Sequence, residues 1–464
     1  MATRTLWSSG DTGQVALRDA GSGACVTYGQ LGDWVVETDA NFGRSTGPAG
    51  LAMVAAKNDL HSLTALLTHV GSERPVLLVD GSGGLSHGLQ HQIDVYSPTV
   101  IHGVEEAIVG YRSAVSPWGS RVQIREFDVD YESYPGTGLL LATSGSTGEP
   151  KLVRLSNGAV QANARQIART LALSPDRRAI TSLPVHYSYG LSIVTSHVAV
   201  GAEVVVTDRG VVSREFWDAI SKYEVDHLAG VPATYQMILR MRIDLARQKS
   251  LKTITQAGGR LSEAMRRTLH STASDSGKKF FVMYGQTEAT ARMAVMPHEL
   301  LPEKIGGVGL PVPGGRIEIG TEGHPDEIVF FGENVMLGTA STSSDLAAGD
   351  IQKGRLETGD LGYVDSDGVL FVTGRIKRIA KVFGVRVNLD DIERQFSGDF
   401  EVAAVADDDT LRVVTTAPDT ASQSALARGI ARQLGIHPTG VLVSHVDSLP
   451  LLPNGKVDYT GLAT

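Results

Sequence analysis

The chain has 464 residues, of which 42% are hydrophobic and 20% are charged, and its formal net charge is −9. This length predicts two or three domains, and the composition is that of an ordinary globular protein. The negative charge argues against a general nucleic-acid or anionic-membrane binder, so any phosphate site must be built locally. Cys25 is the single cysteine, which excludes an internal disulfide and a cysteine-rich metal cage.

The N-terminal residues do not resemble a secretory signal peptide. Residues 1–13 lack the apolar core of a signal peptide. No apolar run approaches the roughly 18 to 20 residues that a membrane span needs. We therefore predict a cytoplasmic protein.

In the first 300 or so residues, short aliphatic runs alternate with amphipathic stretches. Strands are predicted at 51–56, 76–79, 139–142, 179–183 and 202–207, and helices at 60–70, 157–171 and 213–221. Strands that alternate with helices of this length indicate a parallel α/β architecture.

The pattern changes beyond about residue 305. Glycine- and proline-punctuated strands at 306–319, 327–331 and 368–372 predict a β-rich subdomain over about 305–376. Strands at 402–406, 411–415 and 441–446 and a helix at 422–434 then predict a small α+β lid domain. The predicted domains are residues 1–376 and residues 377–464.

The first chemical motif follows the predicted strand at 139–142. It reads Thr143, Ser144, Gly145, Ser146, Thr147, Gly148, Glu149, Pro150 and Lys151. The glycines let the backbone curl around an anion, the hydroxyls supply donors, and the lysine adds a charge for a phosphate. Because Glu149 and Pro150 separate Gly148 from Lys151, this is not a Walker motif. A solvated Ser/Gly turn is the alternative interpretation.

A second motif, Tyr284-Gly285-Gln286-Thr287-Glu288, follows the apolar run 280–283. The tyrosine ring can stack on a base, and the glycine permits close approach. The threonine and glutamate could hold a Mg²⁺ that bridges phosphate oxygens, because Mg²⁺ prefers one or two carboxylates plus substrate oxygens. Taken alone, the segment also reads as an ordinary strand end.

Two further motifs lie nearer the C-terminus. Asp360, in Thr358-Gly359-Asp360, stands at a strand end, where a carboxylate can accept both hydroxyls of a ribose, and Gly374-Arg375 follows the next strand. Lys456 stands in the segment Pro453-Asn454-Gly455-Lys456-Val457. An Asp-Gly turn and a solvated lysine are the alternative interpretations.

In this order and at these separations, the motifs resemble those of the adenylate-forming superfamily. That superfamily comprises acyl- and aryl-CoA synthetases, beetle luciferases and the adenylation domains of nonribosomal peptide synthetases. The resemblance extends from Val26-Thr27-Tyr28-Gly29-Gln30-Leu31, through Gly306-Gly307-Val308-Gly309-Leu310-Pro311-Val312-Pro313-Gly314, to Lys456. It implies an AMP-forming reaction with ATP and Mg²⁺, and a C-terminal lid that carries a catalytic lysine.

The resemblance also implies a role for each matching residue. The phosphates of ATP would be held by Thr143, Ser144, Gly145, Ser146, Thr147, Gly148 and Lys151. The rest of the nucleotide site would comprise Tyr284 on the adenine, Gly285, Gln286, the facing Gly258 and Gly259, and Asp360 and Arg375 on the ribose. Thr287 would contact the α-phosphate, Glu288 would bind Mg²⁺, and Lys456 would be the catalytic lysine of adenylation.

A second half-reaction is implied as well, in which the small domain rotates about Lys377 and a thiol displaces AMP. Lys381 matches a lysine that relatives use in that step. Several residues depart from the family's pattern and put the acceptor surface in doubt: Ala142, Glu357, Arg378, Asn388 and Leu389. CoA and the phosphopantetheine of a carrier protein both remain open as acceptors.

The acid pocket is expected around residues 183–191. Peptide-synthetase domains usually carry Phe-Asp here, and the aspartate pairs with the substrate ammonium, whereas this chain has His186 and Tyr187. An acyl or aryl acid is therefore favoured over an α-amino acid. His186, Tyr187, Gly190 and Gly259 are the candidate acid-binding residues, and His186 is also a candidate catalytic residue. A histidine packed in the core is the alternative for His186.

Three other function classes have weaker support in the sequence. Ser86, in Gly84-Leu85-Ser86-His87-Gly88, fits the serine-hydrolase pattern, although residues 80–83 separate it from its strand. His87 and His91 are four residues apart, as metal ligands on one helix face are, but no third ligand is evident nearby. A binding module that has lost catalysis is disfavoured because the motif residues are all present.

Overall fold

The computed structural model divides into two compact units. It describes residues 11–42, 50–127, 132–142, 151–319, 326–382, 385–397, 400–407, 410–452 and 455–463. The N-terminal unit comprises Met1–Ile305, Gly309–Arg316 and Phe331–Leu356, and the C-terminal unit comprises Gly306–Val308, Ile317–Phe330 and Glu357–Thr464. This division splits the β-rich segment about equally between the two units, while the predicted functional boundary at residue 377 stays a prediction.

A nine-stranded sheet forms the larger layer of the N-terminal unit. In spatial order it contains β16 (Leu310–Pro311), β15 (Ala294–Met296), β14 (Lys279–Tyr284), β13 (Thr253–Gln256), β12 (His227–Gly230), β10 (Arg178–Ile180), β11 (Glu203–Val206), β1 (Val15–Asp19) and β2 (Cys25–Thr27). The six central strands, from β14 to β1, are parallel. Their carboxyl ends therefore meet at one edge.

The second sheet of this unit has eight strands. In spatial order these are β19 (Gly338–Ala340), β9 (Leu152–Ser156), β8 (Thr137–Ala142), β4 (Val76–Asp80), β3 (Ala52–Ala56), β5 (Val100–His102), β7 (Arg121–Arg125) and β6 (Tyr111–Val115). Strands β8, β4, β3 and β5 are parallel. Strand β3 is aliphatic and buried throughout, as a strand covered on both faces must be.

Helices cover these sheets. They are α1 (Tyr28–Phe42), α2 (Leu60–Gly71), α3 (His87–Tyr96), α4 (Asn157–Thr170), α5 (Ser188–Val198), α6 (Arg214–Lys222), α7 (Pro232–Arg240) and α8 (Glu263–Asp275). Side chains fix several of their starts; the Ser156 hydroxyl, for example, accepts a hydrogen bond from the Ala159 N–H over 2.9 Å at the start of α4. Within the described ranges, no helix is both long and apolar enough to cross a membrane.

The remaining sheets are smaller. A four-stranded sheet contains β17 (Arg316–Glu318), β18 (Asp326–Phe331), β20 (Arg355–Val364) and β21 (Leu370–Arg375). The C-terminal unit continues with the hairpin β22 (Ile379–Val382) and β23 (Val385–Asn388), and with the sheet β24 (Val402–Asp407), β25 (Thr410–Thr415) and β26 (Val441–His445). Its helices are α9 (Leu389–Phe396), α10 (Thr420–Leu434) and α11 (Tyr459–Ala463).

The α/β class predicted from the sequence is confirmed, with parallel sheets followed by β-rich and α+β parts. One predicted strand, at 179–183, is wrong in extent because β10 ends at Ile180. The chain leaves the sheet there, since the Ser182 hydroxyl donates to the Ala229 carbonyl over 2.6 Å and Pro184 follows two residues later. That early exit places residues 183–187 at the carboxyl edge.

Candidate active site

Two neighbouring strands deliver candidate nucleotide residues to the carboxyl edge of the nine-stranded sheet. Strands β13 and β14 are parallel, with Gln256 paired to Val282. Gly258 and Gly259 follow β13 closely, and Tyr284 ends β14. Ligands of open α/β sheets bind outside the carboxyl ends of the strands. The fold therefore brings both predicted walls of the nucleotide site to one edge.

The loop after Tyr284 is unusually tight. A Cβ on Gly285 would lie 2.0 Å from the Ala291 carbonyl oxygen, so only glycine fits. Thr287–Ala289 then forms one turn of 3-10 helix, and Thr290 and Ala291 adopt positive φ angles of 54° and 93°. This compact fold leaves Tyr284, Gln286, Thr287 and Glu288 half-buried at the edge.

A hydrogen bond joins this loop to the expected acid pocket. The Thr287 hydroxyl lies 3.0 Å from the hydroxyl of Ser188, which begins α5, although 99 residues separate them in the chain. His186 and Tyr187 immediately precede that helix. The residue predicted to contact the α-phosphate is thus adjacent to the segment predicted to bind the acid.

The residues before α5 are held in place by close contacts. A Cβ on Gly190 would lie 2.2 Å from the Pro184 carbonyl oxygen, which explains the glycine in the first turn of α5. The Asn58 side chain donates to the Leu183 carbonyl and accepts from the Val185 N–H, each over 3.0 Å. Asn58 was not predicted from the sequence, because nothing local links it to a segment 125 residues away.

Tyr187 and Gly258 are also in contact. Gly258 has a φ of +78°, and a Cβ there would lie 2.4 Å from the Tyr187 hydroxyl oxygen. The missing side chain therefore makes room for the phenol. Gly259 lies beside this contact and accepts a hydrogen bond from the Gln256 side chain over 2.8 Å through its carbonyl oxygen.

His186 lies next to a carboxylate that sequence reasoning missed. Its Nδ1 is 3.9 Å from Asp80 Oδ1, at the carboxyl end of β4, and its side chain is 25% exposed. Burial lowers the pKa of His186, and Asp80 opposes that effect. The histidine is therefore mainly neutral at pH 7, and the alternative of a fully packed core histidine does not describe it.

Behind these residues lies a buried cation that was also not predicted. The guanidinium carbon of Arg292 stands 4.0 Å from the centroid of the Tyr189 ring, and both side chains are buried. Burial raises the pKa of Tyr189 to about 12, and Arg292 opposes that effect. The stack supports the inner side of α5.

The predicted phosphate-binding residues Thr143, Ser144, Gly145, Ser146, Thr147 and Gly148 lie outside the described residues. Lys151 is described; it is exposed and directly precedes β9. Its position next to that segment is compatible with a phosphate contact, and the roles of the whole segment stay predictions.

Asp360 and Arg375 pair within the C-terminal unit. They are opposite each other in the β20–β21 ladder, and Arg375 Nε donates to Asp360 Oδ1 over 3.0 Å. The Asp360 side chain is 3% exposed and that of Arg375 is 56% exposed. The ladder thus orients a buried carboxylate and an accessible guanidinium, the two groups that were predicted for the ribose.

The predicted lysines occupy separate places in the same unit. Lys377 is exposed in the 3-10 turn Ile376–Arg378 that follows β21. Lys381 belongs to β22, and its side chain lies outside the described part. Lys456 is half-buried three residues before α11, and its carbonyl accepts a hydrogen bond from the Leu452 N–H over 2.7 Å.

Among the described residues, no group of three histidine, cysteine, aspartate or glutamate side chains could form a metal cage. Glu288 offers a single half-buried carboxylate at the sheet edge. This donor set suits Mg²⁺, which is usually held by one or two carboxylates together with substrate phosphates. The residues present therefore fit a metal that arrives with ATP.

The competing sites have simple structural explanations. The Ser86 hydroxyl accepts a hydrogen bond from the Leu89 N–H over 3.2 Å and caps α3. His87 and His91 are exposed on that helix. Neither observation supports a nucleophile or a metal centre there.

Comparison with known proteins decides the family. Residues 137–339 match the family model described as AMP-binding enzyme. Residues 137–339 belong to this family of AMP-binding enzymes. The resemblance to the adenylate-forming superfamily that the motifs suggested is therefore confirmed.

Two curated proteins illustrate the range of the relatives. The non-ribosomal peptide synthetase CmlP of Streptomyces venezuelae is 28% identical over 332 residues, which cover 69% of this chain and 33% of CmlP. The indoleacetate–CoA ligase of Aromatoleum aromaticum is 31% identical over 282 residues, which cover 59% of this chain and 54% of the ligase. The matches thus span a third and about half of these relatives' lengths.

A solved structure agrees over almost the whole chain. The o-succinylbenzoate CoA synthetase (MenE) of Bacillus subtilis, in complex with its acyl-adenylate intermediate, matches with a TM-score of 0.74 at 22% identity and covers 97% of this chain and 95% of MenE. The same enzyme with ATP and magnesium ion gives a TM-score of 0.73 at 21% identity, covering 97% of each chain. At these identities, the likeness establishes the fold alone.

Proposed function

We propose that the chain activates a carboxylic acid with ATP, forming an acyl-adenylate and pyrophosphate, and then transfers the acyl group to the thiol of CoA. The observation that carries the proposal is the Thr287–Ser188 hydrogen bond, which joins the nucleotide motif to the acid segment. The names of relatives such as indoleacetate–CoA ligase support the acyl-CoA ligase type. The proposed use of ATP agrees with the predicted cytoplasmic location.

In the first step, a carboxylate oxygen of the acid attacks the α-phosphorus, and the bond from that phosphorus to the bridging oxygen of pyrophosphate breaks. An ionised carboxylate has no proton to lose, so positioning and positive charge matter more than a general base. Thr287 contacts the α-phosphate, and Lys456 offsets the charge of the carboxylate and the bridging oxygen. Mg²⁺ at Glu288 would neutralise phosphate charge.

The acid lies against Tyr187, Gly190 and Gly259, with His186 at the reacting carboxylate. A mainly neutral His186 can donate one hydrogen bond to that carboxylate without forming a tight ion pair with the reactant. Asp360 and Arg375 hold the ribose.

In the second step, the thiolate sulfur attacks the acyl carbon, the bond between that carbon and the phosphate oxygen breaks, and AMP leaves. The thiol proton passes to solvent. We propose that the segment after Lys377 rotates between the steps and that Lys381 serves the second one, as hinge motions often do between half-reactions. A carrier-protein thiol is the second candidate acceptor, favoured by the similarity to the peptide synthetase CmlP.

The test is acid-dependent pyrophosphate release across fatty, aryl, hydroxy and amino acids, each with and without CoA or a phosphopantetheinylated carrier protein. We expect one class of non-α-amino acid to release pyrophosphate, with turnover rising when the correct thiol is added. Release only with α-amino acids would overturn the acid class. Failure of every acid, together with failure to bind Mg·ATP, would overturn adenylation itself.

Replacement of Gly258, compared with a control glycine, should distinguish backbone strain from damage to the acid pocket. Gly258→Ala forces alanine into a left-handed conformation and pushes a methyl group against the Tyr187 phenol. We expect a loss of stability of ~1–2 kcal/mol and a loss of kcat/KM for the acid of ~10-fold or more, measured by denaturant unfolding and pyrophosphate release.

Gly277→Ala is the matched control, because Gly277 has a φ of +69° but a Cβ there meets nothing within 4 Å. It should lose similar stability and keep its kcat/KM. Equal kcat/KM in the two variants would show that the contact with Tyr187 does not shape the acid site.

A further inference from the structure

Arg378 stands one residue after Lys377 and is held by side chains from two helices. Its Nε donates to Asp390 Oδ1 over 2.6 Å, and its Nη2 donates to Glu393 Oε1; both carboxylates belong to α9. Its guanidinium carbon also lies 3.9 Å from the ring centroid of Tyr459, the first residue of α11. Only 13% of the Arg378 side chain is exposed, so its charge is stabilised mainly by neighbouring protein groups and little by water.

Glu393 completes this arrangement from the other side. Its Oε2 accepts from the Tyr459 hydroxyl over 2.9 Å, and its Oε1 accepts from the Ala404 N–H of β24 over 2.8 Å. Burial raises the pKa of Glu393, and Arg378 opposes that effect. Arg378, Glu393 and Tyr459, here called the anchor cluster, thus join the turn after β21 to α9 and α11.

Backbone hydrogen bonds lie on both sides of Lys456, close in sequence to the anchor cluster. The Leu452 N–H donates to the Lys456 carbonyl over 2.7 Å, and the Gly455 N–H donates to the Leu452 carbonyl over 2.8 Å. The Asp458 N–H donates to the Pro450 carbonyl over 2.9 Å. Tyr459 follows Asp458 directly, so these hydrogen bonds place Lys456 within three residues of the anchor cluster.

We propose that the anchor cluster is a positioning device, which attaches the Lys456 loop to the segment after Lys377 so that the lysine moves with that segment and is placed by it. The inference rests on the proposed function, because it requires Lys456 to act in adenylation. In this proposal Arg378, Glu393 and Tyr459 touch neither ATP nor acid and act only through Lys456. Burial of the cluster provides the rigidity that such placement requires.

A double-mutant cycle tests the functional half of the proposal. Tyr459→Leu should lower kcat for pyrophosphate release by ~10- to 100-fold with the KM for ATP unchanged, because a misplaced lysine weakens the reaction and not the binding. Tyr459→Phe keeps the stacked ring and should retain most of the activity. Adding Tyr459→Leu to Lys456→Ala should produce no further loss. An equal further loss in that background would overturn the proposal.

A second variant, Arg378→Met, removes the arginine that stacks on Tyr459. Its control is Arg432→Met, because Arg432 is an exposed arginine at the end of α10. Arg378→Met should also slow pyrophosphate release, whereas thioester formation from chemically supplied acyl-adenylate should keep its rate. A general loss of folded protein would lower both rates by the same factor. That outcome would assign the cluster to stability alone and overturn positioning.

Hydrogen exchange tests the structural half without any need for activity. The amides of Leu452, Gly455 and Asp458 should exchange at least ~10-fold faster in Tyr459→Leu, while the amides of α10 keep their rates. Unchanged exchange in the loop would overturn the proposal. A third outcome separates the two proposals: the loop amides exchange faster in Tyr459→Leu, but the wild-type protein releases no pyrophosphate with any acid. That outcome would refute the proposed function and still support the structural role of the anchor cluster.

Discussion

Replacement of Lys456 by alanine should lower the rate of acid-dependent pyrophosphate release by at least ~100-fold and leave the fold intact. Both reactants are anionic, and pyrophosphate gains charge as it leaves, so a fixed cation contributes most in the transition state. Loss of one preorganised charge partner typically costs about 2.7–4 kcal/mol. The half-buried lysine stands on a short turn, so removal of its side chain should not disturb the sheets.

The measurement is pyrophosphate release under saturating ATP and acid, beside circular dichroism and thermal unfolding of each variant. Lys249→Ala, at an exposed lysine of the N-terminal unit, controls for the loss of one charge. Lys456→Arg keeps the charge but changes its reach and should recover only part of the rate. A Lys456→Ala protein with near-normal release would remove this residue from the mechanism.

The N-terminal unit should unfold steeply in mild acid, because four histidines are buried in it. His69 Nε2 lies 2.9 Å from His102 Nε2, and His227 Nδ1 lies 3.3 Å from His197 Nε2. Burial lowers the pKa of His102 to about 3 and that of His197 to about 4, and it places those of His69 and His227 well below the ordinary value. Neighbouring cations, Arg74 beside the first pair and Arg177 beside the second, act in the same direction.

The direction of the effect follows from proton counting. Below the unfolded-state pKa of about 6.5, the unfolded chain binds protons that the folded chain excludes, so stability falls as pH falls. Each histidine contributes up to about 1.4 kcal/mol per pH unit between that value and its folded-state pKa. Four together approach about 5 kcal/mol per pH unit, against a typical total stability of about 5–15 kcal/mol.

Urea unfolding at pH 7.5, 6.5, 5.5 and 5.0 measures this slope. The double variant His69→Leu/His102→Phe removes both partners of one pair and should reduce the slope by about half, since replacing both partners by apolar groups need not destabilise the neutral protein. His87→Leu/His91→Leu, on the exposed face of α3, is the matched control. If the two double variants have the same slope, the buried histidines do not set the acid sensitivity.

The helices and strands were predicted well from local sequence patterns, because helix caps and apolar repeats act on the residues that carry them. Helix α4 was expected at 157–171 and spans Asn157–Thr170, since Ser156 caps it and its apolar face repeats with helical spacing. Strands β3 and β4 likewise follow uninterrupted aliphatic runs. Ends set by tertiary contacts were less predictable, as the early end of β10 shows.

The candidate site was only partly predictable for the same reason. Tyr284, Glu288 and Asp360 stand in short motifs that can be read from neighbouring residues. Asp80 and Glu393 cannot, because they contact His186 and Tyr459 from distant parts of the chain. A weak signal existed for Asp80, a carboxylate that ends a buried parallel strand, and for Arg378, which departs from the family's usual aspartate.

Ion pairs on both sides of Lys377 limit where the rotation proposed above can occur. Arg375 is tied to Asp360 on β20, and Arg378 is tied to Asp390 on α9, so only Ile376 and Lys377 lie between the two tied residues. The proposed rotation would then be confined to the backbone torsions of Ile376 and Lys377, together with ψ of Arg375 and φ of Arg378. Because sterics leave each residue only a few allowed φ/ψ regions, such a rotation would connect a small number of discrete orientations.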